Sequence, residues 1–193
     1  GFSLGFLISN EEMKNKFPFL YSIENNIGLR FLNSKKNILL ISGASSQSKI
    51  YPAEKLAELS TLVDANFYVS WGNKIEKSIA LNIKNLSENV TVCDEQSLSG
   101  LINLISKFDL VIGADTGPTH MAWALNIPSI TLFGSTPGYR NALITNTNKI
   151  IESDSKVDPF RINHFDYSIK NISPNDIADL SKEILDNIKK NKL

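Results

Sequence analysis

The sequence is poor in the features that mark several common classes of protein. One cysteine, Cys93, occurs among 193 residues, so the chain cannot form an internal disulfide, which fits a reducing compartment. Lysine plus arginine equals aspartate plus glutamate, at 20 each, so no net charge attracts nucleic acid or an anionic membrane. No apolar run is long enough to span a bilayer. We therefore expect a cytoplasmic protein with no transmembrane segment and no nucleic acid partner.

The sequence motifs of several enzyme classes are also missing. Neither the Gly-x-x-x-x-Gly-Lys spacing of a Walker loop nor the Gly-x-Gly-x-x-Gly fingerprint of dinucleotide-binding domains occurs. There is no Asp-x-Asp pair to chelate a metal–diphosphate complex, no His/Cys cluster for zinc and no Gly-x-Ser-x-Gly nucleophile elbow. These absences predict a protein that needs neither a metal nor a cofactor.

What is present is a regular alternation of short apolar segments and amphipathic segments from residue 37 onwards. The predicted strands are residues 37–42, 66–71, 90–94, 109–114, 129–134 and 148–153, and the predicted helices are residues 52–63, 75–86, 98–108, 117–126 and 173–190. Strands that alternate with helices of this length indicate a parallel sheet covered on both faces. The pattern predicts an α/β domain with a Rossmann-like, doubly wound sheet. A further helix is possible in residues 11–20, stopping at Pro18.

Three loops of this predicted fold are candidate binding sites. In open parallel sheets, ligands bind at the carboxyl ends of the strands, in the loops that lead into helices. The alternation places residues 43–51, 71–76 and 113–120 in such loops.

The loop at 113–120 has the most promising chemistry. Thr116 and Gly117 lie where a strand ends and a helix begins, so their N–H groups suit a phosphate or diphosphate. Gly117 lets a ligand approach the backbone closely, and Asp115 can accept hydrogen bonds from sugar hydroxyls. His120 lies one helical turn beyond Thr116 and faces the same way. The alternative is that Asp115 or Thr116 only caps the helix while His120 packs on the sheet.

The two upstream loops carry weaker signals of the same kind. Ser45, Ser46 and Lys49 offer hydroxyl donors and a cation after a strand, which suits a diphosphate. A polar turn with a solvated lysine would look the same. Glu76, in the first turn of a helix, can bind a ribose diol or can simply favour the helix dipole.

Three segments together resemble a known family. "SSQSKIYP", "WGNKIE" and "GADTGPTHMAWALNIPSITLFGSTPGYRN" occur in this order, each after a predicted strand. They resemble the donor-binding half of the bacterial lipopolysaccharide heptosyltransferases, the ADP-heptose-using enzymes with the two-domain GT-B fold. The Asp-Thr-Gly form of the third segment is more similar to heptosyltransferase I than to heptosyltransferase II. The resemblance covers roughly residues 38 to 190.

The resemblance assigns a role to each candidate residue. It implies that Ser45, Ser46 and Lys49 hold the diphosphate of ADP-heptose and that Glu76 binds the ribose. Gln96 stands where the family has an adenosine-side residue that is often methionine, so the adenine contact departs from the family pattern. The four residues of the third segment would hold the heptose and its phosphate: Asp115, Thr116, Gly117 and His120.

The resemblance also implies a division of the protein into two domains. Residues 37–193 would form the donor-binding domain, with a C-terminal helix that crosses back to an N-terminal acceptor domain through its apolar stripe. Residues 1–36 would be a remnant of that domain or a linker, without the catalytic Asp, so this chain should bind donor without transferring heptose. The resemblance implies Kdo-lipid A as the acceptor and a peripheral contact of the intact enzyme with the cytoplasmic face of the inner membrane. Two other functions remain open: transfer of another nucleotide-linked sugar, and nucleotide binding without catalysis.

Overall fold

The computed structural model describes residues 35–190 together with Leu20, Tyr21, Leu29 and Phe31. Its centre is a six-stranded sheet in the order β3-β2-β1-β4-β5-β6, and every neighbouring pair is parallel. The strands are β1 (Asn37–Ile41), β2 (Asn66–Ser70), β3 (Val90–Val92), β4 (Leu110–Ala114), β5 (Ser129–Phe133) and β6 (Asn148–Glu152). All six predicted strands are therefore present, and the predicted α/β doubly wound fold is confirmed.

Six α-helices connect or follow these strands in the described part of the chain. They are α1 (Ala53–Leu62), α2 (Lys74–Leu86), α3 (Leu98–Ile105), α4 (Gly117–Ala124), α5 (Gly138–Asn141) and α6 (Pro174–Lys190). The short helix α5 was not predicted, and neither were two 3-10 turns, Gln47–Lys49 and Ser168–Asn171. The possible helix at residues 11–20 falls almost wholly outside the described residues.

Burial on both faces explains why the strands are continuous apolar runs. In β1, Ile38 and Leu40 point into one core cluster while Leu39 and Ile41 point into the other. Helices α1, α2 and α6 cover the first cluster, and α3 and α4 cover the second. A strand that is buried on both faces has no polar alternation, which is typical of parallel sheets.

The C-terminal helix packs within this domain. Ile177 and Ile184 are buried in the first core cluster, and Leu180 and Ile188 pack against it. The apolar stripe, attributed above to a contact with an acceptor domain, is thus explained by packing on α1 and the sheet. A buried face next to α1 gives the same periodicity as an interdomain face, so the crossing of this helix to an acceptor domain stays a prediction. No described helix has the length and apolar character that crossing a membrane requires.

The strand order reverses its direction at the centre of the sheet, between β1 and β4. The chain runs outward from β1 to β3 and then returns to β4, which pairs with β1 on its other side. The loops after β1 and β4 therefore diverge, leaving a crevice at the carboxyl ends of these two strands. These loops contain residues 42–52 and 115–116.

Candidate functional site

A cleft of about 400 Å³ lies at this crevice. Its volume falls within the range of about 300–1,000 Å³ that is typical of small-molecule sites. Five of the nine predicted site residues line it: Ser45, Glu76, Gln96, Thr116 and Gly117. The structure therefore brings together residues from four separate segments of the chain, as the shared edge of a parallel sheet requires.

The acidic side of the cleft is formed by Glu76, at the start of α2. Its carboxylate accepts a hydrogen bond from the backbone N–H of Gly72, with an N–O distance of 2.7 Å. The side chain also lies across Gly43, where an added Cβ would be 2.2 Å from the carboxyl carbon. Gly43 is thus a position where the absence of a side chain allows a carboxylate to approach the β1 loop.

The apolar wall of the cleft was not predicted. Trp71, Leu98, Leu101 and Pro118 contribute to the lining. Trp71 is fixed by a hydrogen bond from its indole N–H to the carbonyl of Cys93, at 2.8 Å. An aromatic residue directly after a strand is the signal that could have indicated this wall, since such a residue faces the same edge as the loops.

The most connected polar group of the site is the carboxylate of Asp115. Its Oδ1 contacts Nε2 of His120 at 2.9 Å, and its Oδ2 contacts Nζ of Lys49 at 2.8 Å. Oδ2 also accepts hydrogen bonds from Oγ1 of Thr136 at 2.8 Å and Nδ2 of Asn141 at 3.0 Å. The side chain is 7% exposed. Asp115 is therefore a buried hub that joins four side chains, and its contact with a sugar stays a prediction.

These contacts determine the ionisation of Asp115. Burial acts to raise its pKa, but hydrogen bonds from His120, Lys49, Thr136 and Asn141 together outweigh burial and hold the pKa well below the usual carboxyl range. The group is consequently a carboxylate under all ordinary conditions. A permanent negative charge at this position keeps the Lys49 ammonium close to the start of α4.

The start of α4 is close to the sheet and lacks a side-chain cap. An added Cβ at Gly113 would be 2.5 Å from Oγ1 of Thr119, so this glycine permits the close approach of the helix. Thr116 occupies the N-cap position but makes no capping hydrogen bond through its side chain. Asp115 and Thr116 are thus not acting as caps, and the N–H groups at the helix start lie beside the cleft.

The structure also does not support the alternative roles considered for His120 and Lys49, which were packing on the sheet and a solvated side chain. The imidazole of His120 does not pack on the sheet, because it contacts Asp115 and keeps 38% of its side-chain surface exposed. Lys49 is not solvated, because its side chain is only 19% exposed and forms an ion pair. The second predicted serine, Ser46, is bonded to Ser48 at 2.9 Å between their hydroxyl oxygens and does not line the cleft.

Thr136 and Asn141 are the site residues that sequence reasoning missed. Both lie in the connection between β5 and β6, which follows the carboxyl end of β5. The segment "GSTPGYRN" formed part of the resemblance, but none of its residues was assigned a role. Its position after a buried strand, at the same sheet edge as the other loops, was the available signal.

The fold and the cleft define a class of protein. A doubly wound parallel sheet with a ligand-sized cleft at the break in its connectivity, and with a lysine beside an uncapped helix start, is the arrangement of Rossmann-like nucleotide-binding domains.

Comparison with known sequences identifies the family. The family model described as glycosyltransferase family 9 (heptosyltransferase) matches residues 5–162, so the chain belongs to this family. Lipopolysaccharide heptosyltransferase 1 of Campylobacter coli is 41% identical over 166 residues, which cover 81% of this chain and 48% of that protein. The protein of the same name from Pseudomonas aeruginosa is 28% identical over 109 residues, 54% of this chain and 31% of its own length. The chain thus spans about half the length, or less, of these relatives.

Solved structures support the same fold. E. coli heptosyltransferase WaaC with ADP superposes with a TM-score of 0.66 at 19% identity, over 79% of this chain and 45% of that one. E. coli ADP-heptose heptosyltransferase II gives a TM-score of 0.67 at 18% identity, over 82% of this chain and 49% of that one. The resemblance found in the sequence is confirmed.

Proposed function

We propose that this chain is the donor-binding part of an inverting heptosyltransferase, which moves heptose from ADP-heptose to a Kdo sugar of the lipopolysaccharide inner core. The observation that carries the proposal is the cleft at the centre of the sheet edge, which is lined by the start of α4, with Lys49 paired to Asp115 immediately before that helix. The names of related proteins agree with this assignment. Campylobacter coli has a lipopolysaccharide heptosyltransferase 1 that is 41% identical to this chain over 166 residues.

The lining of the cleft suggests how ADP would be placed. Trp71 offers an aromatic face for adenine, with Gln96 as the polar group nearby. The carboxylate of Glu76 would accept hydrogen bonds from the ribose hydroxyls. The diphosphate would then lie against the N–H groups of Thr116 and Gly117, where the helix dipole favours an anion.

Ser45 and Lys49 would complete the diphosphate site. Ser45 is exposed and lines the same cleft as the start of α4. Lys49 would share its charge between Asp115 and the phosphates, while Ser46 would hold the turn through Ser48. The heptose would extend from the diphosphate towards Asp115 and His120.

In this proposal, the donor-binding part of the protein stabilises ADP as the leaving group. As the bond between the anomeric carbon and the phosphate oxygen breaks, negative charge develops on ADP, and a preorganised cation and helix N–H groups stabilise it. Within the described residues, no group of three or more His, Cys, Asp or Glu side chains is placed to hold a metal ion. The general base and the acceptor site for Kdo-lipid A are assigned to the part of the relatives that this chain does not match.

The first expected result is that ADP binds to this chain whether or not a divalent metal is present. Lys49 and the start of α4 would supply the positive charge that magnesium supplies elsewhere. Titration calorimetry with ADP, in buffer containing either magnesium or a chelator, measures the two affinities. Loss of binding with the chelator would contradict metal-independent binding, and absence of binding in both buffers would contradict the proposed function.

A second expected result concerns the contact between Lys49 and the phosphates. Lys49→Ala should weaken ADP binding by about 1.5–3 kcal/mol, the contribution of a charge-assisted hydrogen bond, while adenosine binding stays nearly unchanged. Lys84→Ala is the matched control, because Lys84 is exposed at the opposite end of α2 and donates a hydrogen bond to the carbonyl of Glu88. Equal losses for ADP and adenosine would show that Lys49 does not meet the phosphates.

A further inference from the structure

The connection between β5 and β6 reaches into the centre of the site. From this connection, Thr136 and Asn141 donate hydrogen bonds to the same oxygen of Asp115 that pairs with Lys49. A second contact joins the same two regions, since the hydroxyls of Ser48 and Ser135 lie 3.4 Å apart. The first link reaches the β1 loop, which carries the lysine, through Asp115 in the loop after β4, and the second reaches it directly through Ser48.

The four partners of Asp115 differ in how firmly they can hold it. Lys49 is attached through a long flexible side chain, and the ring of His120 is 38% exposed. Thr136 is 6% exposed, and its β-branched side chain has few accessible rotamers. The terminal torsion of an aspartate is broad, so the orientation of the carboxylate depends on the partners that are themselves fixed. Thr136 is the most rigid of these partners, and Asn141, the last residue of α5, donates to the same oxygen of Asp115.

We propose that Thr136 and Asn141 are positioning residues for the diphosphate site, which act through Asp115 to hold Lys49 in the place where it meets the phosphates. The inference rests on the proposed function. Neither side chain needs to touch the ligand, because each acts on the carboxylate that orients the lysine.

The hydrogen bonds that Asp115 accepts from several donors agree with this positioning role. If Lys49 were the only donor to Asp115, the carboxylate would neutralise the charge of the ammonium. The lysine would then attract a phosphate less strongly. Three donors on one oxygen of Asp115 divide the negative charge, so Lys49 keeps part of its attraction for a second anion.

The test is a double-mutant cycle in the 193-residue chain, read by calorimetric titration of ADP and of adenosine. Thr136→Val keeps the shape of the side chain and removes the donor. We expect it to weaken ADP binding roughly threefold to tenfold, as the loss of one hydrogen bond does, and to leave adenosine binding unchanged. Thr136→Ser restores the donor and should bind ADP nearly as the parent chain does.

The decisive arm repeats Thr136→Val in a Lys49→Ala background. A residue that acts only through Lys49 has no further effect on ADP binding once the lysine is gone, whereas an independent structural role gives the same additional loss in both backgrounds. Additive losses would overturn the proposal, and so would an equal effect of Thr136→Val on adenosine.

If Thr136→Val does not fold, Asn141→Ala tests the same proposal, because it removes the other uncharged donor to Asp115 Oδ2. Asn141 is half-buried, so its truncation disturbs less of the interior. The same pattern is expected, with a loss for ADP alone that disappears without Lys49. Failure of the parent chain to bind ADP would instead reject the proposed function, so the two failures are distinguishable.

Discussion

Asp115→Asn is expected to lower both the stability of the domain and its affinity for ADP. The substitution keeps the shape of the side chain but removes the charge opposite Lys49, whose side chain is only 19% exposed. The new side-chain NH2 group would also face at least one of the groups that now donate to Asp115, so a donor would meet a donor. Breaking a buried ion pair by removing one partner costs about 3–5 kcal/mol, and we expect the lower end because Lys49 keeps some contact with water. Chemical denaturation with urea measures the change in unfolding free energy.

Asp109→Asn is the matched control for this variant. Asp109 immediately precedes β4, whereas Asp115 follows it, and Asp109 pairs with Lys36 at 2.8 Å. It also accepts the backbone N–H of Asn37 at the opposite edge of the sheet from the cleft. Asp109→Asn should therefore reduce stability without reducing ADP affinity. Asp115 would have no special role if both variants lost ADP affinity equally, or if neither did.

The same variant makes the pH dependence of Asp115 testable. Its pKa is depressed in the folded protein, so its stabilising contribution is fully present above the ordinary carboxyl pKa and is lost as the pH falls towards the lower folded-state value. The difference in unfolding free energy between the parent chain and Asp115→Asn should be constant near neutral pH. It should shrink only in strongly acidic buffer, which urea titrations at several pH values can follow.

The sheet was predictable because the apolar runs in the sequence agree with the burial of the strands on both faces. Ile38, Leu39, Leu40 and Ile41 are apolar in succession because both faces of β1 are covered, and the loops that follow the strands are polar because they meet solvent. The ends of helices were less predictable. Helix α4 stops at Ala124, two residues before the predicted end, and Asn126 adopts a positive φ of 59° that departs from the helix. Asparagine tolerates this conformation better than most residues do, which composition alone does not reveal.

The candidate site was predictable in its location but not in its internal contacts. Topology sends the loops with Ser45, Glu76 and Thr116 to one edge of the sheet, and spacing along the chain indicates this. Asp115 contacts Thr136 and Asn141, which lie 21 and 26 positions further along the chain, and Asn141 belongs to the short helix α5. A single turn of four residues is below the length at which periodicity can be recognised. The sharing of the Asp115 carboxylate among protein donors was therefore not predicted, and its contact with a sugar stays a prediction.

Gly134→Ala should destabilise the domain through a collision at the end of β5. An added Cβ would lie 2.7 Å from both the Cβ and the backbone nitrogen of Ile169, and 3.0 Å from its Cα. Ile169 is fully buried in the 3-10 turn that precedes α6, so neither segment can move without disturbing the core. Extra atoms in a packed interior cost about 1–3 kcal/mol, and we expect the upper end because the obstacle includes backbone.

Gly117→Ala is the control for the collision, because it makes the same chemical change at the start of α4. No atom lies within 4 Å of an added Cβ at Gly117, so this variant should unfold at a temperature no lower than that of the parent chain. Gly134→Ala should unfold several degrees lower, since each kcal/mol corresponds to about 2–4 °C in a domain of this size. Differential scanning calorimetry of the three chains makes the comparison. Equal melting temperatures for Gly134→Ala and the parent chain would mean that the turn around Ile169 is free to shift.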